Sequence, residues 1–163
     1  MRPLLTANSF NDHIQAQLSP TSKMATMYLK GRKNTRVRID QLVYGACQLP
    51  PFTNAFAAAR LLVFEGAPPP TFPTGTDTFT TNWDNFNPPQ VFLDIVLAQP
   101  FVDLPFPKGL YGTPDKDVGI MLLAAYNIAD TINTPSTMQT TLNVLGDFES
   151  TLQNQKGKIT VLG

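Results

Sequence analysis

The chain has 163 residues, enough for one domain with a sizeable core, and 42% of them are hydrophobic. Charged residues make up only 15%, with twelve Lys and Arg against twelve Asp and Glu, and Cys47 is the one cysteine. These numbers exclude an intrachain disulfide and a cysteine metal cluster. No apolar run reaches the ~18 residues of a membrane-spanning helix.

So little charge is a weak defence against self-association. Two readings follow: a subunit that lives inside an assembly, or a monomer kept soluble by its many Thr and Asn residues. The single cysteine fits synthesis in a cytosol. The first residues, Met1 to Asp12, contain no apolar run of signal-peptide length.

Residues 1–22 read as an N-terminal arm containing a short helix. Ser9 caps it, Asp12 stands at its third position, and Phe10, Ile14 and Leu18 form one stripe until Pro20. Strands follow. Residues 24–29 lead into a turn at 30–34, and a long strand at 35–48 puts Val37, Ile39 and Val43 on one face. Gln41 disturbs that alternation, and Pro50-Pro51 stops the strand. Residues 54–60 fit either a helical turn or the lead-in to a short apolar strand at 61–65.

A 24-residue stretch, 67–90, then interrupts the strands. It holds Pro68, Pro69, Pro70, Pro73, Pro88 and Pro89, together with Phe72, Phe79, Trp83 and Phe86. Irregular connections of this length are uncommon and usually functional or disordered. Another apolar strand runs from 91 to 99. Residues 101–112 are extended and turn-rich, because three prolines between 100 and 107 exclude a helix. Residues 118–129 are apolar on all sides, as in a buried helix capped by Asp115 or Asp117 or in a strand buried on both faces. We prefer the strand, because its neighbours are strands. Residues 137–149 alternate well, with Met138, Thr140, Leu142, Val144 and Phe148 on one face. Residues 158–162 close the chain as a last strand. There is no internal repeat and no sign of a second domain, so 1–163 reads as one β-barrel domain.

Chemistry is sparse. His13 is the only histidine and sits in the expected helix, where a solvent-facing role is the simplest account. No nucleophile elbow, phosphate loop, dinucleotide fingerprint or zinc-protease motif occurs. Asp77, Asp84, Asp94 and Asp103 offer carboxylates for glycosidic chemistry, but Asp94 can equally pair with an arginine. Asp115 and Asp117 suit either a calcium shell or an exposed turn. We therefore expect no enzyme, no cofactor and no bound metal.

One charge asymmetry stands out. Lys23, Lys30, Arg32, Lys33, Arg36 and Arg38 are six bases with no acid among them. Lys30, Arg32, Lys33, Arg36 and Arg38 are candidate contacts for phosphates or an anionic membrane surface; a solvated turn is the plain alternative. Only Tyr28 supplies an aromatic nearby, which argues against sequence-specific nucleic-acid reading. Phe72, Phe79, Trp83 and Phe86 are candidate subunit contacts, with self-packing and sugar stacking as alternatives.

Proline-rich connections between seven or eight unevenly spaced strands predict an all-β fold, a single jelly-roll sandwich or barrel. In size, strand number, low charge and the insertion at 67–90, the chain resembles the small single-jelly-roll capsid proteins of tailless, membrane-containing icosahedral bacteriophages of the sphaerolipovirus-like kind. The Pro-bounded segment from Phe101 to Tyr111 adds to that resemblance. The resemblance carries no diagnostic motif, and no site residue transfers through it. It implies a capsid subunit of a virion, made in the host cytoplasm, that forms homo-oligomers beside a second capsid protein and above a lipid vesicle. The alternatives are a carbohydrate- or receptor-binding β-sandwich and a phage tail or decoration protein.

Overall fold

The computed structural model describes residues 8–18, 24–49, 56–69, 87–126 and 137–152. The eight elements described are all strands: β1 (Ser9–Leu18), β2 (Met24–Leu29), β3 (Thr35–Leu49), β4 (Phe56–Glu65), β5 (Val91–Leu97), β6 (Phe101–Tyr111), β7 (Val118–Tyr126) and β8 (Thr137–Ser150). They form two four-stranded antiparallel sheets, ordered β1-β8-β3-β6 (sheet A) and β2-β7-β4-β5 (sheet B). The pairing is nested: β1 with β8, β2 with β7, β3 with β6 and β4 with β5. Two further pairs, β3 with β8 and β4 with β7, join this folded ribbon into sheets.

The inner faces of both sheets share one core. Sheet A contributes Ile14, Leu18, Val37, Ile39, Leu42, Tyr44, Leu142 and Val144; sheet B contributes Leu29, Leu61, Val63, Ile120 and Leu122. Each fully buried aliphatic side chain of this kind contributes roughly 1.5–3 kcal/mol. β4 and β7, the central strands of sheet B, are buried on their other face too. There Leu62, Phe64, Met121 and Leu123 form a second apolar cluster. Burial on both faces explains the unbroken apolar runs from Leu61 to Phe64 and from Val118 to Leu123, and 118–126 is a strand as preferred. β4 begins at Phe56, so residues 56–60 extend the expected strand rather than forming a helical turn.

The expected N-terminal helix is overturned over its described part: Ser9–Leu18 is β1. The cause lies in the spacing. Phe10, Ile14 and Leu18 are four apart, which puts them on one face of a helix, but four is also even, which puts them on one face of a strand. Pairing with β8 along all ten residues decides between the two.

β3 corrects a second expectation. Val37 and Ile39 face the core, but so do Leu42 and Tyr44, and Val43 does not. The ladder slips between Ile39 and Gln41 on both sides of the strand, leaving Asp40 as the extra residue of a bulge. β6 bulges at the same place: Pro105 pairs with Gln41 and Leu110 with Ile39, so Phe106, Pro107, Lys108 and Gly109 lie opposite Asp40. β6 is an edge strand, where proline is tolerated. That is how a segment read as turn-rich is strand from Phe101 to Tyr111. The terminal strand expected at 158–162 lies outside the described residues.

Gly146 faces Ile39 beside the slip, and a Cβ there would collide with the main-chain oxygen of Arg38 and lie 2.5 Å from Phe10 Cζ. At Gly45 in β3, the nearest atom to an added Cβ is Thr141 Oγ1 at 3.2 Å. Gly146→Ala is therefore expected to destabilise the fold by roughly 1–3 kcal/mol through overpacking, and Gly45→Ala by clearly less. Urea unfolding midpoints of the two variants check this. Equal midpoints would contradict the close approach at Gly146.

Candidate functional site: the charged end of the sandwich

Nested pairing brings the connections β2–β3 and β6–β7, the end of β4, the start of β5 and the end of β8 to one end of the sandwich. The β2–β3 turn is held there by the β6–β7 connection. Gly31 N donates to Asp117 Oδ1 at 2.6 Å, and Asn34 N donates to Asp115 Oδ1 at 2.6 Å. Asp115 N returns a bond to Thr35 O at 2.8 Å, and Gly66 N donates to Asp117 O at 2.8 Å. Asn34 and Asp115 adopt left-handed backbone angles, φ 59° and 64°, which their short polar side chains tolerate. Gly31 is required by contact, since a Cβ would lie 2.7 Å from the main-chain carbon of Lys116. Asp115 and Asp117 thus spend a carboxylate oxygen each on backbone amides of the turn. Among the described residues no group of three or more His, Cys, Asp or Glu could hold a metal ion.

The five expected basic contacts divide in two. Lys30, Arg32 and Lys33 stand together and exposed on the turn. The Arg32 guanidinium lies 3.8 Å over the Phe148 ring, and Phe148 packs on Phe10 with ring centroids 5.3 Å apart. Beside them lies an open groove of about 550 Å³ lined by Phe10, Asp12, Tyr28, Lys30, Arg32 and Phe148, among others.

Arg36 and Arg38 belong to a different surface, the outer face of sheet A, and both are paired. Arg36 Nη2 meets Glu149 Oε1 at 2.7 Å and its guanidinium lies 4.0 Å over the Tyr111 ring. Arg38 bonds Asp40 through Nε at 2.8 Å and Glu149 through Nη1 at 3.1 Å, with Asp147 at 3.7 Å. Asp40 holds the Arg38 guanidinium above its ordinary pKa, against the opposing pull of burial. Burial alone would raise the Glu149 pKa, but bonds from Arg36 and Arg38 outweigh it and hold the carboxyl below the usual glutamate range. Tyr111 Oη donates a third bond to Glu149 at 3.3 Å.

Asp40 lies two residues beyond Arg38, but the other acids that neutralise these arginines, Asp147 and Glu149, sit on β8, up to 113 residues away in sequence, so no local reading of 23–38 finds them. Tertiary pairing of β3 with β8 is the only signal, and it places Glu149 opposite Arg36 and Asp147 opposite Arg38.

The other candidates are placed as follows. Asp94 is clamped by Arg60 through two bonds, 2.9 and 2.8 Å, which hold its carboxyl below the usual range despite some burial. That is the arginine pair considered for it above. Asp103 accepts from Gln41 Nε2 at 2.7 Å. His13 is exposed on β1. Phe72, Phe79, Trp83, Phe86, Asp77, Asp84 and Lys23 lie outside the described residues. No protein-family model and no curated protein matches the chain.

Because Glu149 titrates below the ordinary value of 4.5 when folded, its ion pairs stabilise the fold above that pH. They are lost as pH falls through the lower folded value. Glu149→Gln is expected to destabilise the protein by about 1 kcal/mol at neutral pH, since the group is partly solvated. The difference from wild type shrinks on acidification below about pH 4. Thermal midpoints of both proteins across pH 3–7 test this; a difference that stays constant throughout would contradict it.

Proposed function

We propose that this chain is a structural subunit of a virus shell, a single jelly-roll capsid protein that self-assembles or assembles with a second capsid protein. The observation that carries the reading is the nested strand order. Pairs β1·β8, β2·β7, β3·β6 and β4·β5, wound into sheets β1-β8-β3-β6 and β2-β7-β4-β5, are what results when one long antiparallel ribbon is rolled into a jelly roll. That architecture recurs in capsid and lectin domains. Architecture alone does not assign a function, and the surface supplies the further support. Charge is low and balanced. Asp40, Asp94, Asp103 and Glu149 are engaged with arginine or amide side chains.

Contact with an anionic membrane beneath such a shell belongs to the same proposal, in narrower form. Arg36 and Arg38 are neutralised in place, so Lys30, Arg32 and Lys33 at the turn are the residues to carry it. Three charges give a weak, salt-sensitive attraction, about 1 kcal/mol each at an anionic surface.

The test is to purify the chain and follow light scattering with concentration, with electron microscopy of the result and of the source particle. Defined oligomers or shells are expected. A strict monomer that binds glycans, and loses them on Trp83→Ala, would sink the capsid reading in favour of a carbohydrate-binding sandwich. Liposome flotation addresses the turn: binding to anionic but not neutral vesicles, weakened by salt and by Lys30→Glu with Lys33→Glu, is expected. Equal binding to both vesicle types would remove the membrane contact.

A further inference from the structure

We infer that the outer edge of β1, unpaired with any other described strand, is a self-pairing interface, where a second copy of this chain adds its own β1 antiparallel and joins two copies of sheet A into one eight-stranded sheet. The inference rests on the self-assembly reading above and names the surface that would serve it.

Among the described strands, four lie at sheet edges: β1 and β6 in sheet A, β2 and β5 in sheet B. An edge strand presents a row of unused backbone donors and acceptors, and proteins that avoid pairing there blunt it with proline, lysine, bulges or shortness. β6 is blunted by Pro105, Pro107, Lys108 and the bulge opposite Asp40. β2 has six residues; β5 has seven, carries Asp94 in its middle, and slips against β4 at its start. β1 has no proline, lysine, bulge or shortness, and Asp12 is its one charged side chain. It runs ten residues in unbroken register with β8, with no proline, lysine or arginine. Asn11, Asp12, His13, Gln15 and Gln17 are exposed.

The partner is a second copy because the strand complements itself. A twofold axis normal to the sheet keeps the core side of both copies on one side, so paired residue numbers sum to an even value. Centred on His13, that pairing sets Asn11 opposite the other copy's Gln15 and Ser9 opposite its Gln17. These outward side chains are uncharged and can both donate and accept hydrogen bonds. On the core side, Phe10 meets Ala16, and both are already packed against the rim of the core. Asp12, the one acid of the strand, falls opposite Ile14 rather than its own copy. With the chain neutral overall, no net charge opposes the approach, and the contact is isologous and closed.

Sedimentation equilibrium of the full chain tests this with three proteins. Wild type is expected to dimerise. Asn11→Lys combined with Gln15→Lys places like charges directly across the axis and is expected to weaken dimerisation about tenfold or more, with the thermal midpoint of the dilute monomer unchanged. Phe101→Asp, on the exposed side of β6 (Phe101 is 63% exposed), is expected to leave the dimer intact. A wild-type dimer that persists in the double-lysine variant but is lost in Phe101→Asp would discard the β1 interface while leaving self-assembly standing. A wild type that stays monomeric at every concentration overturns both. Crosslinking gives a second arm free of charge effects: in a Cys47→Ser background, His13→Cys is expected to form a disulfide dimer on mild oxidation, and Gln17→Cys is not. The reverse pattern would overturn the register, and crosslinking of neither would overturn the interface.

Discussion

β3 is the longest strand and lies between β8 and β6 in sheet A, and the sandwich depends on its break in alternation at Asp40. A regular strand presents every second residue to the core. β3 must present Val37 and Ile39 at one end and Leu42 and Tyr44 at the other, which differ in parity. The extra residue resolves the conflict, and Gly146 on β8 allows the two main chains to approach where the slip occurs. Without the slip, one half of β3 would turn the wrong row inward, either Arg36 and Arg38 or Gln41 and Val43, and bury polar groups at a cost. Tyr44 shows what that burial means: its hydroxyl lies deep enough for its pKa to be pushed up to about 12.

The strand register also organises the charges. Asp40 stands two residues beyond Arg38, on the same outer face, while the regular part of the β3–β8 ladder sets Glu149 opposite Arg36 and Asp147 opposite Arg38. The ion network is therefore a consequence of strand register rather than an independent feature. At the adjoining turn, aspartates of the β6–β7 connection hold the backbone of the β2–β3 connection. One end of the sandwich is thus tied by side chain–backbone bonds and ion pairs, and its exposed cations are Lys30, Arg32 and Lys33 on one connection and Lys116 on the other.

Much of this was legible in the residues, for reasons that can be separated. β8 could be read whole because it is regular and buried on one face. Val118 to Leu123 gave no period because both faces are buried, and neighbouring strands had to decide. β1 was misread because a spacing of four satisfies both periods. Val43 was placed on the wrong face because a bulge changes parity without a sequence mark beyond Gln41. The pairing of Arg36 and Arg38 with Glu149 and the Arg60–Asp94 clamp join residues 34 to 113 positions apart. Pairing of distant strands creates them, so no window along the chain contains them.

Topology also bears on how such a sandwich can associate. Nesting leaves β1 and β2 on one flank and β6 and β5 on the other, with β1 and β6 at opposite edges of sheet A. The β6 edge carries two prolines and a bulge, which remove donors and break the plane of the ladder. The β1 edge keeps a full ladder and a row of neutral hydrogen-bonding side chains. Among the described strands, backbone pairing in sheet A is therefore favoured on the β1 side, and the exposed Phe101 and Val96 on the other flank can add contact area but no strand ladder. If copies pair through β1 as inferred, that contact closes on itself and gives pairs rather than indefinite sheets, because a twofold contact consumes the one long, unbulged edge among the described strands. Larger assemblies would have to grow from such pairs through side-chain surfaces, in which low charge removes repulsion and shape alone sets the geometry.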